Sequence, residues 1–306
     1  MISEPILKRI LEKKKALDNL RPFDQAALHK LQESFNVELT YNSNAIEGNS
    51  LSLSETKLVL EEGITIGGKT MKEHLEVTNH RKAIDFVQNL VEKPKIEEID
   101  VLNLHAIILD RIDPHNAGFY RRSGVRISGT TYTPPNALKV PKLMQEVYQM
   151  LNSKSKEPIE TASLIHLKFV DIHPFIDGNG RIARLLLNLY LMRASFPPVI
   201  IQKAERKKYI ITIMQEQLEH NTSTFVNFVA KALERSLDIY LDALGTTSSE
   251  YLTLAEAAKN SKYGQEYLSL LARTGKIGAV KFGRNWKITR EALGEYEKAQ
   301  KPKNIG

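Results

Sequence analysis

Residues 161–191 constrain the fold more than any other part of this sequence. Leu164, Ile165, Leu167 and Phe169 give one apolar face at helical spacing, and Ile182, Leu185, Leu186, Leu189 and Leu191 give another. Between them runs His173-Pro174-Phe175-Ile176-Asp177-Gly178-Asn179-Gly180-Arg181-Ile182-Ala183-Arg184. The pattern is helix, tight turn, helix, with Gly178-Asn179-Gly180 at the amino end of the second helix. Folding alone does not call for so many polar and charged groups in twelve positions.

The residue types describe a chemistry. A helix amino end carries free backbone N–H groups and the positive pole of the dipole. Glycines there let a large anion come close, and Arg181 and Arg184 add fixed positive charge one turn apart. Asn179 can hydrogen-bond phosphate oxygens. Asp177, a hard oxygen ligand, suits Mg²⁺ bound to substrate phosphates. His173 can take a proton from an attacking hydroxyl near neutral pH. Together these groups describe transfer of a phosphate-containing group from a nucleotide to an alcohol.

The string matches the signature His-x-Phe-x-(Asp/Glu)-Gly-Asn-Gly-Arg-x-x-Arg, so the chain resembles the Fic family over roughly residues 20 to 235. The resemblance implies a mainly α-helical Fic bundle with a β-hairpin flap. It also implies a protein adenylyltransferase, a nucleotidyltransferase moving AMP from Mg-ATP to a Ser, Thr or Tyr hydroxyl of a protein, self-modification included. Related Doc toxins, which transfer the terminal phosphate, carry Lys where this chain has Gly180. Two alternatives stay open: a hydrolase that removes AMP, with Glu47 orienting water, and a DNA-bound regulator whose Fic domain senses nucleotide.

Ser43-Asn44-Ala45-Ile46-Glu47-Gly48 ends a long helix read over Phe23 to Ile46, and an acid is poorly placed at a helix carboxyl end. The segment is similar to the inhibitory motif of Fic proteins, (Ser/Thr)-x-x-x-Glu-(Gly/Asn). By that resemblance Glu47 pairs with Arg184, denies it to the terminal phosphate of ATP and holds the nucleotide unproductively. Val125-Arg126-Ile127 and the β-branched run after Ser128-Gly129 predict a hairpin, barred from central-sheet duty by Pro134-Pro135. Its unpaired edges can accept an extended peptide, and its place resembles the target-binding flap of the family. The resemblance sets Tyr209 near the adenine or ribose. His74 and His80 read as ordinary polar positions of a helix over Glu73 to Val91.

The flanks complete the organisation. Residues 6–20 read as an amphipathic, partly basic helix with a solvated face. Ser52 and Glu55, and again Thr253 and Glu256, are spaced as capping boxes. The expected domains are 1–50 with the inhibitory motif, 51–242 as catalytic core, 243–249 as linker and 250–306 as a small module. That module, helix, turn, helix around Glu266 and a hairpin over 280–288, resembles excisionase- and MerR-like winged helix-turn-helix units. It carries eleven Lys and Arg against six Glu, a balance of +5 within a chain total of +7, as binding to a phosphate backbone requires. Gln265, Glu266 and Ser269 would open its recognition helix, with Arg284 on the wing. The absence of cysteine fits a reducing cytoplasm, and no apolar run reaches membrane-spanning length, so no membrane partner is expected. A homodimer is left open.

Overall fold

The paired apolar faces of residues 161–191 become the central helical hairpin of the molecule. The computed structural model describes residues 1–127, 130–245, 251–274, 276–282 and 285–299. Helix α7, Pro158–Ile172, and helix α8, Asn179–Arg193, lie against each other, with Ile165, Phe169, Ile182, Leu186 and Leu189 fully buried. Burying side chains of this size is worth about 2 kcal/mol each, which is why this pair anchors the fold.

The other helices follow in chain order: α1 Glu4–Asn19, α2 Gln25–Ile46, α3 Leu53–Glu62, α4 Met71–Leu90, α5 Glu98–Ile108, α6 Val140–Leu151, α9 Arg206–Glu219 and α10 Thr222–Gly245. Helix α4 packs on α3, α5 and α8, and α6 packs on α7. The capping box at Ser52 and Glu55 forms, and Gly63 stops α3 in the left-handed conformation. A second box, Thr70 with Glu73, starts α4. His74 and His80 are buried rather than surface polar residues. His74 accepts from the Ile66 N–H at 2.8 Å and donates to the Thr70 carbonyl at 2.7 Å, whereas His80 has no hydrogen-bond partner on either ring nitrogen.

After α10 come β1 Tyr251–Thr253, α11 Leu254–Lys259, α12 Gln265–Arg273, β2 Ala279–Phe282, β3 Asn285–Thr289 and α13 Arg290–Ala299. The antiparallel sheet has the order β1-β3-β2, with Leu252 opposite Ile288 and Lys281 opposite Trp286. Thr253 caps α11 with Glu256 as its box partner. Leu254, Ala257, Leu268, Leu271 and Ile288 make this part's own core. The expected 243–249 linker falls partly inside α10, and 246–250 lie outside the described residues, as do Ser128, Gly129 and Arg284.

The chain divides into two units, Met1–Leu7 with Glu33–Leu233, and Lys8–Gln32 with Glu234–Gly306. The division runs through α1, α2 and α10 rather than through loops. In the second unit Lys8, Arg9 and Lys15 of α1 are exposed, as expected of a solvated basic face, and Lys13 is the exception. Lys13 is buried between Glu234 and Asp238, at 3.0 and 2.7 Å, and Arg9 reaches Glu234 at 2.7 Å. Among the described residues, no helix is long and apolar enough to cross a membrane.

The segment 121–136 departs from expectation. No strand forms among its described residues, where Val125, Arg126 and Ile127 belong to a loop, and the expected turn at Ser128-Gly129 lies outside the described residues. Pro134 and Pro135 offer no N–H donors, and the Arg121 side chain donates to the carbonyls of Ser123 and Pro135.

Candidate active site

Helix α7 stops at His173, which adopts φ 48°, ψ 60° and donates its N–H to the Phe169 carbonyl at 3.0 Å. A left-handed residue with a side chain is uncommon and costs energy; Pro174 then bars a return to helix. The His173 ring faces the Val170 carbonyl through Nδ1 at 3.3 Å. A carbonyl only accepts, so the proton of that contact sits on Nδ1 and the Nε2 lone pair is left to act. Burial pushes the His173 pKa below its ordinary value, which keeps the ring neutral.

The turn after it is built from side chains that bind backbone. Asn179, 3% exposed, accepts from the Phe175 N–H at 3.0 Å and donates to the Phe175 carbonyl at 2.9 Å. Its side chain therefore shapes the turn. Gly178, the N-cap of α8, has φ 80°, and a Cβ there would press on Ile108 and His105. Its N–H donates to Asp177 Oδ1. His105 stacks on Phe175 with ring centroids 3.6 Å apart. The Gly118 N–H donates to its Nδ1 at 3.0 Å, so Nε2 carries the proton and donates to the Asp177 carbonyl at 3.1 Å. Burial pushes His105 down to about 4, so it stays neutral in this role.

Two guanidiniums lie inside. Arg181, 2% exposed, contacts Asp177 Oδ1 at 3.4 Å and Glu76 Oε1 at 3.5 Å, while its Nε has no partner. Arg184, 4% exposed, donates from Nε to Ser43 Oγ at 3.0 Å and from Nη2 to the Ser43 carbonyl at 2.8 Å. Its Nη2 also meets Glu47 Oε1 at 2.8 Å, and its Nη1 donates to the Tyr209 hydroxyl at 3.4 Å. An arginine can only donate, so that hydroxyl gives its own hydrogen to His166 Nε2, 2.8 Å away. The polar end of Tyr209 thus meets Arg184, and Tyr209 borders the cleft.

Helix α2 delivers Ser43 and Glu47. Arg206 Nε donates to the Ile46 carbonyl at 2.6 Å, and Asn49 donates to Glu76 Oε2 at 2.9 Å and to the Glu73 carbonyl at 3.0 Å, fixing the chain on both sides of Glu47. Gly180 makes room: a Cβ there would lie 2.3 Å from Glu47 Oε1. His173, Gly180, Arg184 and Glu47 line one cleft of about 780 Å³ including its open mouth, together with apolar Ile210, Ile213 and Met214, and with Ile127 and Thr130. A cleft with that mixed lining suits an organic ligand with an anionic part. Val125 and Arg126 are not among its lining residues.

Asp177 is half-exposed, and both hydrogen bonds to it use Oδ1, leaving Oδ2 open. Among the described residues no cluster of three metal-ligating side chains occurs. A lone carboxylate beside a phosphate cradle fits a cation shared with substrate phosphates, and not one caged by protein.

Residues 95–191 match the sequence model described as the Fic/DOC family. The chain is 37% identical over 244 residues to "Protein adenylyltransferase Fic" of Drosophila ananassae, covering 78% of this chain and 48% of that protein. The same name and a similar share recur for Drosophila grimshawi, at 39% over 234 residues. The chain thus spans about half the length of the curated relatives it matches. Among solved structures, a Fic-1 fragment from C. elegans superposes with TM-score 0.72 at 34% identity, over 80% of this chain and 74% of that one. A Fic domain containing signaling protein from Bacteroides thetaiotaomicron gives TM-score 0.71 at 28% identity, over 78% and 97%.

Proposed function

The chain belongs to the Fic/DOC family, and from that premise we propose that it transfers AMP from ATP to a protein hydroxyl, with Glu47 holding the reaction in check. One observation carries the reading: a buried guanidinium, Arg184, sits in the cleft beside the glycine-rich start of α8, and its charge is met by an acid brought from another helix.

In this reading His173 Nε2 takes the proton of the acceptor hydroxyl. The hydroxyl oxygen bonds to the α-phosphorus of ATP, the bond from that phosphorus to the bridging oxygen breaks, and pyrophosphate leaves. The N–H groups of Asn179 and Gly180 and the Arg181 guanidinium oppose the charge that builds on the phosphate oxygens. Asp177 would hold Mg²⁺, which when bound neutralises phosphate charge. Arg184 seats the terminal phosphate once Glu47 withdraws, and Tyr209 and His166 keep that guanidinium in place. Gly180, rather than the Lys of Doc toxins, favours nucleotidyl over phosphoryl transfer. The extended loop around Val125, Arg126 and Ile127 is the place for a target segment, with 51–242 as the catalytic core.

The test is mass spectrometry of the Glu47→Gly protein after incubation with Mg·ATP and candidate targets. Gain of one AMP supports the reading; gain of one phosphate, or of nothing, removes it. Loss of AMP from an already modified target would favour the hydrolytic direction, in which Glu47, 40% exposed in the same cleft as His173, orients water.

We also infer a duplex-DNA contact through residues 250–306, supported by their charge of +5 and by the exposure of Gln265 and Glu266 at the start of α12. One cation is already spent: Lys287 pairs with Asp242 at 2.9 Å. Deleting 250–306 should spare AMP transfer and abolish salt-sensitive DNA binding, and retention of that binding would refute the contact.

A further inference from the structure

We propose that Arg121 is a positioning residue that fixes the His173 turn and sets it in register with the loop 123–135. This rests on the assignment of His173 as base made above.

Arg121 is 3% exposed and, among the described residues, has no carboxylate within ion-pair distance. Its charge is met entirely by main-chain oxygens. Its Nε donates to the His173 carbonyl at 2.7 Å, its Nη2 to the Ile172 carbonyl at 3.3 Å, and its own backbone N–H to the Pro174 carbonyl at 2.9 Å. One residue thus holds three consecutive carbonyls, and the middle one belongs to the residue whose backbone is left-handed. Such a conformation persists only when its surroundings over-determine it.

The same guanidinium reaches the other way. Nη1 donates to the Ser123 carbonyl at 2.9 Å and Nη2 to the Pro135 carbonyl at 2.5 Å, the two ends of the loop whose Ile127 and Thr130 line the cleft. Tyr132 of that loop donates its hydroxyl to the Asp171 carbonyl at 3.2 Å, one residue before the clamped turn. The base and the loop facing the acceptor are therefore tied to a single planar fork. Lysine, a single ammonium on a flexible stem, cannot span the four carbonyls that the guanidinium meets.

Glu47→Gly serves as the parent, and R121K and R121Q are added to it. Nucleotide affinity should stay within about twofold, because Arg121 touches none of the phosphate cradle. Turnover should fall about 100-fold, the usual scale for a misplaced catalytic group. Amide exchange at His173 and Phe175 should quicken by about tenfold or more as the turn opens. R121K keeps the buried charge and so remains informative if R121Q does not fold. A folded variant whose turnover stays within about threefold of the parent overturns the proposal, and so does lost turnover with unchanged exchange. If the parent transfers no AMP, the proposed reaction falls, and exchange alone decides the clamp: quickened exchange supports it and unchanged exchange overturns it.

Discussion

The His173 turn and the end of α2 each rest on a buried arginine, and the charges of the two arginines are met in opposite ways. Arg121 is met by backbone carbonyls of residues 123, 135, 172 and 173. Arg184 is met by side chains, Glu47, Ser43 and Tyr209, plus one carbonyl, and Glu47 is 40% exposed. Backbone acceptors cannot leave without unfolding the turn. A carboxylate at a helix end can swing out and be replaced by another anion. The first region is a fixed strut; the second is a contact suited to exchange.

The largest effect falls on the fixed side. His173→Ala should lower AMP incorporation about 1,000-fold, within the usual range for losing a general base, while equilibrium nucleotide binding changes little. Surviving incorporation would remove His173 as the base.

Next is the pH response of the turn. His105 is pushed to about 4 when folded, against about 6.5 unfolded. The folded state therefore binds fewer protons over that window. The contribution is complete above pH 6.5 and is lost as pH falls toward 4. Between pH 7 and 4.5 this amounts to about 2 kcal/mol. His80 and His166, held well below their ordinary value by burial, act in the same sense, and Asp171, pushed up to about 7 by burial, acts against them. All three are common to both proteins when parent and His105→Gln are compared. The gap between their urea midpoints should narrow as pH falls; a constant gap would break the account of the strut.

The exchangeable side should respond more gently. Gly180→Ala puts a methyl 2.3 Å from Glu47 Oε1, and the carboxylate is the flexible partner. Incorporation should rise about tenfold, equivalent to roughly 1.4 kcal/mol of lost pairing, and a fall would mean that the methyl blocks nucleotide instead. Ser43→Ala removes one acceptor from Arg184 Nε, worth about 1 kcal/mol, so incorporation should rise about fivefold by the same assay.

Much of the site was legible because its residues are contiguous. The cradle, both guanidiniums, Asp177 and His173 fall in one string, and the helices around it lie within a few residues of the bounds set by apolar spacing and caps. The pairing of Glu47 with Arg184, far apart in the chain, was legible only through family resemblance. Arg121, Glu76, His105 and His166 were missed for a common reason: each acts on backbone atoms or buried groups brought close by packing, and no local spacing records that. The expected flap hairpin turns on Ser128 and Gly129, which lie outside the described residues, and no strand forms in the described part of 121–136. The bonds of the Asn179 side chain to Phe175, which shape the turn, are likewise invisible in the sequence.

The central claim is that Glu47 keeps Arg184 from the nucleotide. It is tested most directly by the rate of AMP incorporation from Mg·ATP in Glu47→Gly against the unsubstituted protein, at equal protein and nucleotide concentration. The account predicts an increase of about tenfold or more; equal rates in the two proteins would contradict it.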